Sequence, residues 1–219
     1  MLVNEEQELF ETVGDSHAMT SVETPLRADA FQKSDDEKIR NIAHHFARIM
    51  EELGLDLQDD SLRGTPYRVA KMYVKELFYG LNPECKPHLS VFENKYGYTK
   101  MLVEKDIQVS SSCEHHFLPI VGRAHIGYVA EGKVIGLSKI NRIVDYFARR
   151  PQVQERLSLQ IYRELQTALD TDSIIVVIEA EHMCVSSRGV KDSASKTTTM
   201  EYGGAFNRQE VREEFFRLL

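Results

Sequence analysis

The first periodic pattern of hydrophobic positions along the chain predicts a helix in its N-terminal part. Ser34 and Glu37 have the spacing of a capping box, in which each side chain bonds the backbone amide of the other residue. Apolar residues then recur every three or four positions from Ile39 to Leu53. Gly54 follows, and glycine suits the left-handed conformation that ends many helices. We therefore expect one amphipathic helix between Ser34 and Gly54.

A second helix is expected shortly afterwards. Thr65 is a favourable capping residue, Pro66 is tolerated in the first helical turn, and apolar residues continue at helical spacing to Gly80. Upstream, residues 1–33 show little periodicity and are interpreted as an N-terminal arm. Residues 34–95 are interpreted as a helical N-terminal region.

The pattern changes after residue 95, where alternating and β-branched apolar residues indicate strands. The predicted strands are 101–111, 118–128 with an interruption at Gly122, 173–180 and 193–202. Two helices are predicted between the second and third strands, one capped by Ser138 and one beginning at Pro151, and a last helix is expected near Asn207. This order predicts an α+β fold with an antiparallel sheet in residues 96–219.

The charge balance argues against some classes of partner. Asp and Glu total 34 against 27 Lys and Arg, which gives a net charge of −7 and disfavours nucleic-acid binding. A small polyanionic substrate stays compatible with this charge, because a local cluster of cations can act against the global sign. No stretch approaches about 18 consecutive apolar residues, so no membrane span is expected. The acidic N-terminus is unlike a secretory signal, and we expect a cytoplasmic protein.

Two of the three cysteines stand near histidines in a pattern that suggests a metal site. Cys113 and His116 are three positions apart, and Cys184 follows a later apolar run. Zinc favours thiolate and imidazole ligands, and three protein ligands would leave one position for water, as in catalytic sites. Buried structural cysteines, an oxidised pair, or a Cys113 nucleophile with His115 as its base explain the spacing about as well. We interpret Cys85 as structural.

Candidate phosphate ligands gather downstream. Ser138, Lys139 and Arg142 fall at the start of a predicted helix, where free backbone amides and the helix dipole favour a phosphate. Arg188 follows Cys184 closely and offers bidentate contacts to phosphate oxygens. Taken alone, these cations are better explained as a solvated helix face.

A candidate base-recognition pair stands in the first turn of the next predicted helix. Gln154 and Glu155 follow Pro151 there. A carboxylate at this place can accept two hydrogen bonds from guanine, from N1–H and the exocyclic amine, whereas adenine lacks that donor pair. A glutamate that stabilises the N-terminus of its own helix is an equally good interpretation.

Four segments taken together resemble the signature sequences of the GTP cyclohydrolase I family. They are residues 113–117, 135–144, 149–157 and 182–190, and they occur in the order and spacing of that family. The similarity extends from about Glu23 to the C-terminus and includes residues 65–73, whereas the residues before Glu23 match nothing dependable. Because four motifs in register are more specific than one, the resemblance favours the zinc interpretation.

The resemblance implies a role for each candidate residue. Zn²⁺ would be held by Cys113, His116 and Cys184. Protons would be moved by His115, His182 and Ser138. The guanine would be bound by Gln154 and Glu155, and the ribose and triphosphate by Ser138, Lys139, Arg142, Arg188 and, from a neighbouring subunit, Arg68.

The reaction implied by the resemblance begins with water and zinc opening the guanine ring of GTP at C8. Formate leaves, and an Amadori rearrangement with ring closure gives 7,8-dihydroneopterin triphosphate, the first step of folate and tetrahydropterin biosynthesis. The implied architecture is the tunnelling fold, an antiparallel sheet with two helices on one face. Five such sheets would close into a barrel, and two pentameric rings would stack into a homodecamer with active sites at subunit borders.

Two other interpretations stay open. Other enzymes of the same fold, such as a pterin synthase or a nitrile reductase, are expected to differ at the metal position, with three histidines or a cysteine nucleophile. A zinc-stabilised interaction module is expected to close its metal site entirely with protein ligands. The set Cys113, His116 and Cys184, with His115 and His182 beside it, favours the cyclohydrolase.

Overall fold

The computed structural model describes residues 21–219, so residues 1–20 of the predicted arm lie outside the described part. The α-helices are α1 (Asp35–Glu52), α2 (Thr65–Met72), α3 (Leu137–Ala148), α4 (Gln154–Leu169), α5 (Met183–Ser186) and α6 (Gln209–Leu218). The β-strands are β1 (Val91–Glu93), β2 (Met101–Cys113), β3 (Pro119–Val129), β4 (Lys133–Ile135), β5 (Pro151–Gln152), β6 (Ile174–His182) and β7 (Thr197–Tyr202). A π-helical turn covers Tyr73–Leu77, and 3-10 turns cover Tyr79–Leu81, Pro83–Cys85 and Gly204–Asn207.

Helix α1 begins and ends as its sequence pattern predicts. The Ser34 hydroxyl accepts a hydrogen bond of 3.3 Å from the Glu37 backbone amide. At the other end, Gly54 has a φ of +79°, the left-handed conformation that glycine adopts without steric cost. The helix buries Ile39 and Met50. The amphipathic helix predicted from the periodicity is therefore confirmed.

Helix α2 differs from its prediction at both ends. Gly64 is the N-cap, and Thr65 is the first helical residue. The Thr65 hydroxyl accepts a hydrogen bond of 3.2 Å from the Arg68 guanidinium, so it does not cap the helix. The α-helix ends at Met72 and continues as the π-helical turn, whereas the periodicity predicted a single helix to Gly80.

Five strands form one sheet in the order β5-β2-β3-β6-β7. Strands β2, β3, β6 and β7 pair antiparallel as predicted, with ends displaced by a few residues, while β5 pairs parallel with β2. Gly122 does not interrupt β3, because it pairs with Val109 on one side and Ala180 on the other. A Cβ at Gly122 would lie 2.1 Å from the Glu179 carbonyl oxygen, so this glycine permits the close approach of β6.

Helices α3 and α4 pack together on one face of the sheet and form the main core. Its members include Ile140, Ile143, Leu157, Ile161 and Leu165 from the helices and Val109, Ala124, Ile126 and Ile178 from the strands. On the opposite face, Phe215 of α6 packs against Ile175 and Val177 of β6. The predicted α+β class is therefore confirmed.

The two core helices begin differently from their predictions. Gly136 is the N-cap of α3, so Ser138 lies in the first turn and does not cap the helix. Pro151 lies in β5, and α4 begins at Gln154 after the N-cap Val153. Proline lacks an amide hydrogen, which a short edge strand tolerates. The parallel partner of this strand is distant in sequence, so local periodicity does not reveal it.

The last helix begins at Gln209, directly after the 3-10 turn that contains Asn207, close to its predicted start. Strands β1 and β4 form a separate two-stranded sheet. Among residues 21–219, no helix is both long enough and apolar enough to cross a lipid bilayer.

The helical N-terminal region is joined to the core helices at Gly80. The Gly80 amide donates a 3.0 Å hydrogen bond to the Arg149 carbonyl, and its own carbonyl accepts one of 2.7 Å from Arg150 Nε. A Cβ at Gly80 would lie 2.0 Å from the Tyr146 carbonyl oxygen. The two backbones therefore approach so closely that only glycine fits here without displacement.

Replacement of Gly80 by alanine is expected to lower the free energy of unfolding by about 1–3 kcal/mol or more, because the new methyl group would overlap the Tyr146 carbonyl. Gly132→Ala is the matched control, since a Cβ there meets no atom within 4 Å. Its effect should stay within about 0.5 kcal/mol. Urea unfolding followed by circular dichroism measures both changes, and equal stabilities of the two variants would contradict the close approach.

Candidate active site

The ends of two strands that flank β3 bring the predicted metal ligands together. Cys113 is the last residue of β2, and Cys184 lies in α5 directly after β6. Both strands pair with β3, where Ile120 stands opposite His182 of β6. His116 lies in the turn between β2 and β3. The ligand atoms of Cys113, His116 and Cys184 all lie within 4.8 Å of one another.

This donor set fits a zinc ion. Two thiol sulfurs and one imidazole nitrogen are soft donors of the kind that Zn²⁺ favours. Tetrahedral Zn–S bonds of about 2.3 Å place two sulfur atoms about 3.8 Å apart. The ligand atoms lie within 4.8 Å of one another, so small side-chain movements bring them to the distances that zinc requires. Within residues 21–219, no other cysteine, histidine or carboxylate joins this cluster. Three ligands would leave one coordination position for water or substrate.

The cysteines of the cluster are thiols and do not form a disulfide with each other. Cys113 is buried, Cys184 is half-buried, and the third cysteine, Cys85, is exposed and outside the cluster. Burial raises the pKa of the Cys184 thiol, and the hydrogen bond with Cys113 adds to this shift. Because a metal binds the thiolate, metal binding here displaces protons, and metal affinity should fall as the pH decreases.

A tight turn carries the two histidines of the site. The Phe117 amide donates to the Cys113 carbonyl at 2.8 Å, and Phe117 adopts a φ of +55°, in the left-handed region that non-glycine residues rarely occupy. His115 Nδ1 lies 3.8 Å from the Cys113 sulfur. His116 Nε2 lies 2.7 Å from the Arg188 guanidinium. Since a guanidinium only donates, His116 Nε2 accepts this hydrogen bond.

A buried glutamine fixes the orientation of His182. Gln154 is 1% exposed, and its side-chain nitrogen donates to the carbonyls of Ile178 and Thr197 at 3.0 Å and 2.9 Å. Its side-chain oxygen therefore faces His182 Nε2, 2.7 Å away. An amide oxygen only accepts, so His182 Nε2 carries the proton and Nδ1 keeps its lone pair. Both hydrogens of the Gln154 amide are used inside the protein.

The environment of His182 favours its neutral form. Burial lowers the pKa of the His182 imidazole, and the negative charge of Glu155 partly opposes this shift. Glu155 itself is exposed at the start of α4, next to the buried Gln154. A neutral imidazole and an exposed carboxylate therefore stand side by side near the metal ligands.

The predicted phosphate ligands lie at the other end of the sheet. Ser138, Lys139 and Arg142 occupy the first turns of α3. The C-terminal end of this helix approaches the metal side, because the Arg150 carbonyl accepts a 3.4 Å hydrogen bond from the Ser111 hydroxyl. A helix of 12 residues separates its two ends by about 18 Å. Within one chain, Ser138 and Lys139 thus lie at the end of α3 that is remote from the metal side, and Arg142 lies near the middle of the helix.

The guanidinium of Arg68 bonds to residues of its own N-terminal region. It is exposed on α2, where its guanidinium donates to the Ser61 carbonyl at 3.1 Å and to the Thr65 hydroxyl at 3.2 Å. Arg188 is the predicted phosphate ligand that one chain does place beside the metal cluster, through its contact with His116.

Sequence reasoning missed two charged residues beside the metal ligands. Glu114, which directly follows Cys113, accepts hydrogen bonds of 2.5 Å and 3.3 Å from the guanidinium of Arg156. Both residues belong to the signature segments 113–117 and 149–157, and the sequence shows that their charges are opposite. Their pairing depends on the register that sets Cys113 beside Gln152 of β5, which spacing alone does not give.

Comparison with known proteins agrees with this geometry. The sequence profile described as GTP cyclohydrolase I matches residues 42–219. A GTP cyclohydrolase 1 from Flavobacterium johnsoniae is 55% identical over 214 residues, which cover 98% of this chain and 96% of the relative. The Aeromonas salmonicida enzyme of the same name is 53% identical over 195 residues, 89% of this chain and 88% of the relative. By these matches, the chain belongs to the GTP cyclohydrolase I family.

Proposed function

We propose that the chain catalyses the reaction of its family, the hydrolysis of GTP to formate and 7,8-dihydroneopterin triphosphate. The observation that carries this proposal is the convergence of Cys113, His116 and Cys184 within 4.8 Å in a member of the GTP cyclohydrolase I family. The donor set suits Zn²⁺ better than a hard, oxygen-seeking cation, so zinc is the cofactor we assign to it.

His115 is assigned as the acid of ring opening. A zinc ion held by Cys113, His116 and Cys184 would supply Lewis-acid activation of water near neutral pH. His115 lies beside the ligands, with its Nδ1 3.8 Å from the Cys113 sulfur. From this position it donates a proton to the nitrogen of the guanine imidazole ring as the C8–N bond breaks. Acid–base help of this kind typically contributes about 10²–10⁴-fold.

His182 is assigned as a proton carrier of the later rearrangement. Gln154 holds its Nε2–H, so the Nδ1 lone pair is available to accept a proton. Since the amide of Gln154 is already occupied, its contribution to substrate binding acts through the orientation of His182. Glu155, exposed next to it, is assigned to the guanine N1–H and exocyclic amine.

The triphosphate side of the site is assigned to a neighbouring subunit. Ser138, Lys139 and Arg142 lie about 9–15 Å along the α3 axis from its C-terminal end, which faces the metal side. We therefore assign their role to a second chain, and we assign Arg68 to the same side. The sheet has edges for such assembly, because β7 pairs only with β6 and the two-residue β5 leaves most of β2 uncovered in the described residues.

The assembly that meets this requirement is the one implied by the family resemblance. We propose the tunnelling fold for residues 96–219, preceded by the helical region 34–95 and the arm 1–33. Five sheets would close into a barrel, and two pentameric rings would form a homodecamer. Closure would remove the open sheet edges, which otherwise favour uncontrolled pairing with other chains.

Metal binding is also expected to release Arg188 for the substrate. The hydrogen bond from Arg188 uses the lone pair of His116 Nε2. A metal bound at Nε2 would use this lone pair itself. A metal bound at Nδ1 would leave Nε2 protonated in the neutral imidazole. In either case the hydrogen bond from Arg188 to Nε2 is lost. The freed guanidinium then offers its donors to phosphate oxygens.

Cys184→Ala is expected to abolish zinc binding and formate release, because only one sulfur and one nitrogen would remain as ligands. Cys85→Ala is the matched control, since Cys85 is exposed and lies outside the cluster. Metal content by mass spectrometry and formate release from GTP measure the two effects. Zinc content and turnover of the Cys184 variant equal to those of the control would refute the proposed centre.

Mixing two inactive variants is expected to restore activity. Cys184→Ala lacks the metal side, and the double variant Lys139→Ala/Arg142→Ala lacks the phosphate side. If each site combines two chains, about a quarter of the sites in randomly mixed 1:1 oligomers contain both intact halves. Pterin fluorescence after co-refolding reports this recovery. Absence of activity in oligomers verified as mixed by mass spectrometry would place the whole site in one chain.

Glu155→Gln is expected to raise KM for GTP about 10- to 100-fold, because guanine would lose a charged acceptor for its two donors. Discrimination against ATP should fall in competition binding. Glu164→Gln is the matched control on the same helix, where Glu164 pairs with Lys86. An unchanged KM for the Glu155 variant would remove this residue from base recognition.

A further inference from the structure

A buried ion pair joins the turn that carries the metal ligands to helix α4. The Arg156 side chain is 2% exposed, and the Glu114 side chain is 21% exposed. Arg156 Nη1 and Nη2 donate to the two carboxylate oxygens of Glu114 at 2.5 Å and 3.3 Å. This two-pronged geometry restrains the carboxylate in direction as well as in distance.

Both partners are held by further hydrogen bonds. Arg156 Nε donates to the Ser21 carbonyl at 2.7 Å, so all three guanidinium nitrogens are engaged. The backbone amide of Glu114 donates to the Gln152 carbonyl at 3.0 Å. Glu114 is therefore tied to the segment that leads into α4 through its main chain and to the first turn of α4 through its side chain.

The turn between Cys113 and His116 needs such an external restraint. It is irregular, with Phe117 in the left-handed region, and His115 and His116 are exposed. Nevertheless, a sulfur at its start and a nitrogen at its end must converge on one ion. Chain freedom lost on metal binding lowers metal affinity, so a turn fixed beforehand binds more tightly.

The energetics of the pair argue for a positioning role. Burying two charges costs solvation that their attraction barely recovers, and well-packed apolar residues are often as stable at such sites. An arginine and a carboxylate buried next to a metal ligand therefore call for an explanation other than stability. Glu114 follows Cys113, and Arg156 follows Glu155, so the pair links the ligand turn to the base-recognition helix.

We propose that Glu114 and Arg156 are positioning residues that hold the turn of residues 113–116 in its metal-binding conformation. In addition, they set the position of this turn relative to Glu155. In this proposal neither residue is a ligand of the metal, although Glu114 Oε1 also lies 3.8 Å from His115 Nε2. The inference rests on the proposed function only in taking the ion to be zinc. Loss of residues that orient metal ligands typically costs about 10- to 100-fold in metal affinity or activity.

The test compares zinc release with stability in a set of matched variants. Arg156→Met/Glu114→Leu replaces the pair by apolar residues, and Glu114→Gln keeps the shape of the side chain but removes its charge. Lys86→Met/Glu164→Leu is the control, because that pair joins another segment to the same helix away from the metal turn. For each purified holoprotein, zinc transfer to a chromogenic chelator, the melting temperature after metal removal, and kcat and KM for GTP are measured.

The expected result separates metal retention from stability. The double variant and Glu114→Gln should release zinc about 10- to 100-fold faster than the control, and kcat should fall more than KM because Glu155 is retained. The melting temperature of the metal-free double variant should stay close to that of the control. Should the double variant not fold, zinc release from Glu114→Gln alone decides the matter in the same way.

Two results would overturn the inference. Zinc release from the paired variants at the control rate would show that the turn holds its conformation without them. Zinc release that follows the melting temperature across all variants, the control included, would show a purely structural role. If the unsubstituted protein itself takes up no zinc, both the proposed function and this inference are wrong. If it takes up zinc normally and the variants release zinc at the control rate, only this inference is wrong.

Discussion

The pairing of β2 and β6 with the two sides of β3 is the constraint on which the site depends. Cys113 and Cys184 are far apart in the sequence. They lie close together because Cys113 ends β2, Cys184 follows β6, and both strands pair with β3. The pairing is held by a core of aliphatic residues under α3 and α4. A shift of one residue in either register would turn alternate side chains to the opposite face.

The sequence was sufficient for features that depend on local chemistry. The Ser34 cap of α1 and the strands of the sheet follow from residue types and spacing, and the structure contains them. Spacing alone left the role of Cys113, His116 and Cys184 open, and the structure brings the three side chains together. Predictions failed where a competing side chain or a partner distant in sequence decides the outcome. Thr65 bonds Arg68 and does not cap α2, and Pro151 joins β2 as a parallel strand. Gly122 likewise serves the approach of β6 and does not break β3.

The position of the predicted phosphate ligands in the fold could not be predicted from the sequence. Ser138, Lys139 and Arg142 have the residue types expected of a phosphate site, and spacing places them correctly at the start of a helix. Spacing does not reveal the direction in which α3 crosses the sheet. Because its C-terminal end faces the metal side, the cations near its start lie toward the opposite end of the subunit.

The first turn of α4 shows how one short segment can serve several parts of a site. Successive residues of an α-helix project about 100° apart, so Gln154, Glu155 and Arg156 face three directions. Gln154 turns inward and fixes the tautomer of His182, Glu155 faces outward with a free carboxylate, and Arg156 reaches the ligand turn through Glu114. One helical turn therefore fixes the orientation of His182, presents an exposed carboxylate and contacts the turn that carries Cys113 and His116. Rotation of this turn would disturb all three contacts at once, and the burial of Gln154 and Arg156 restrains such a rotation.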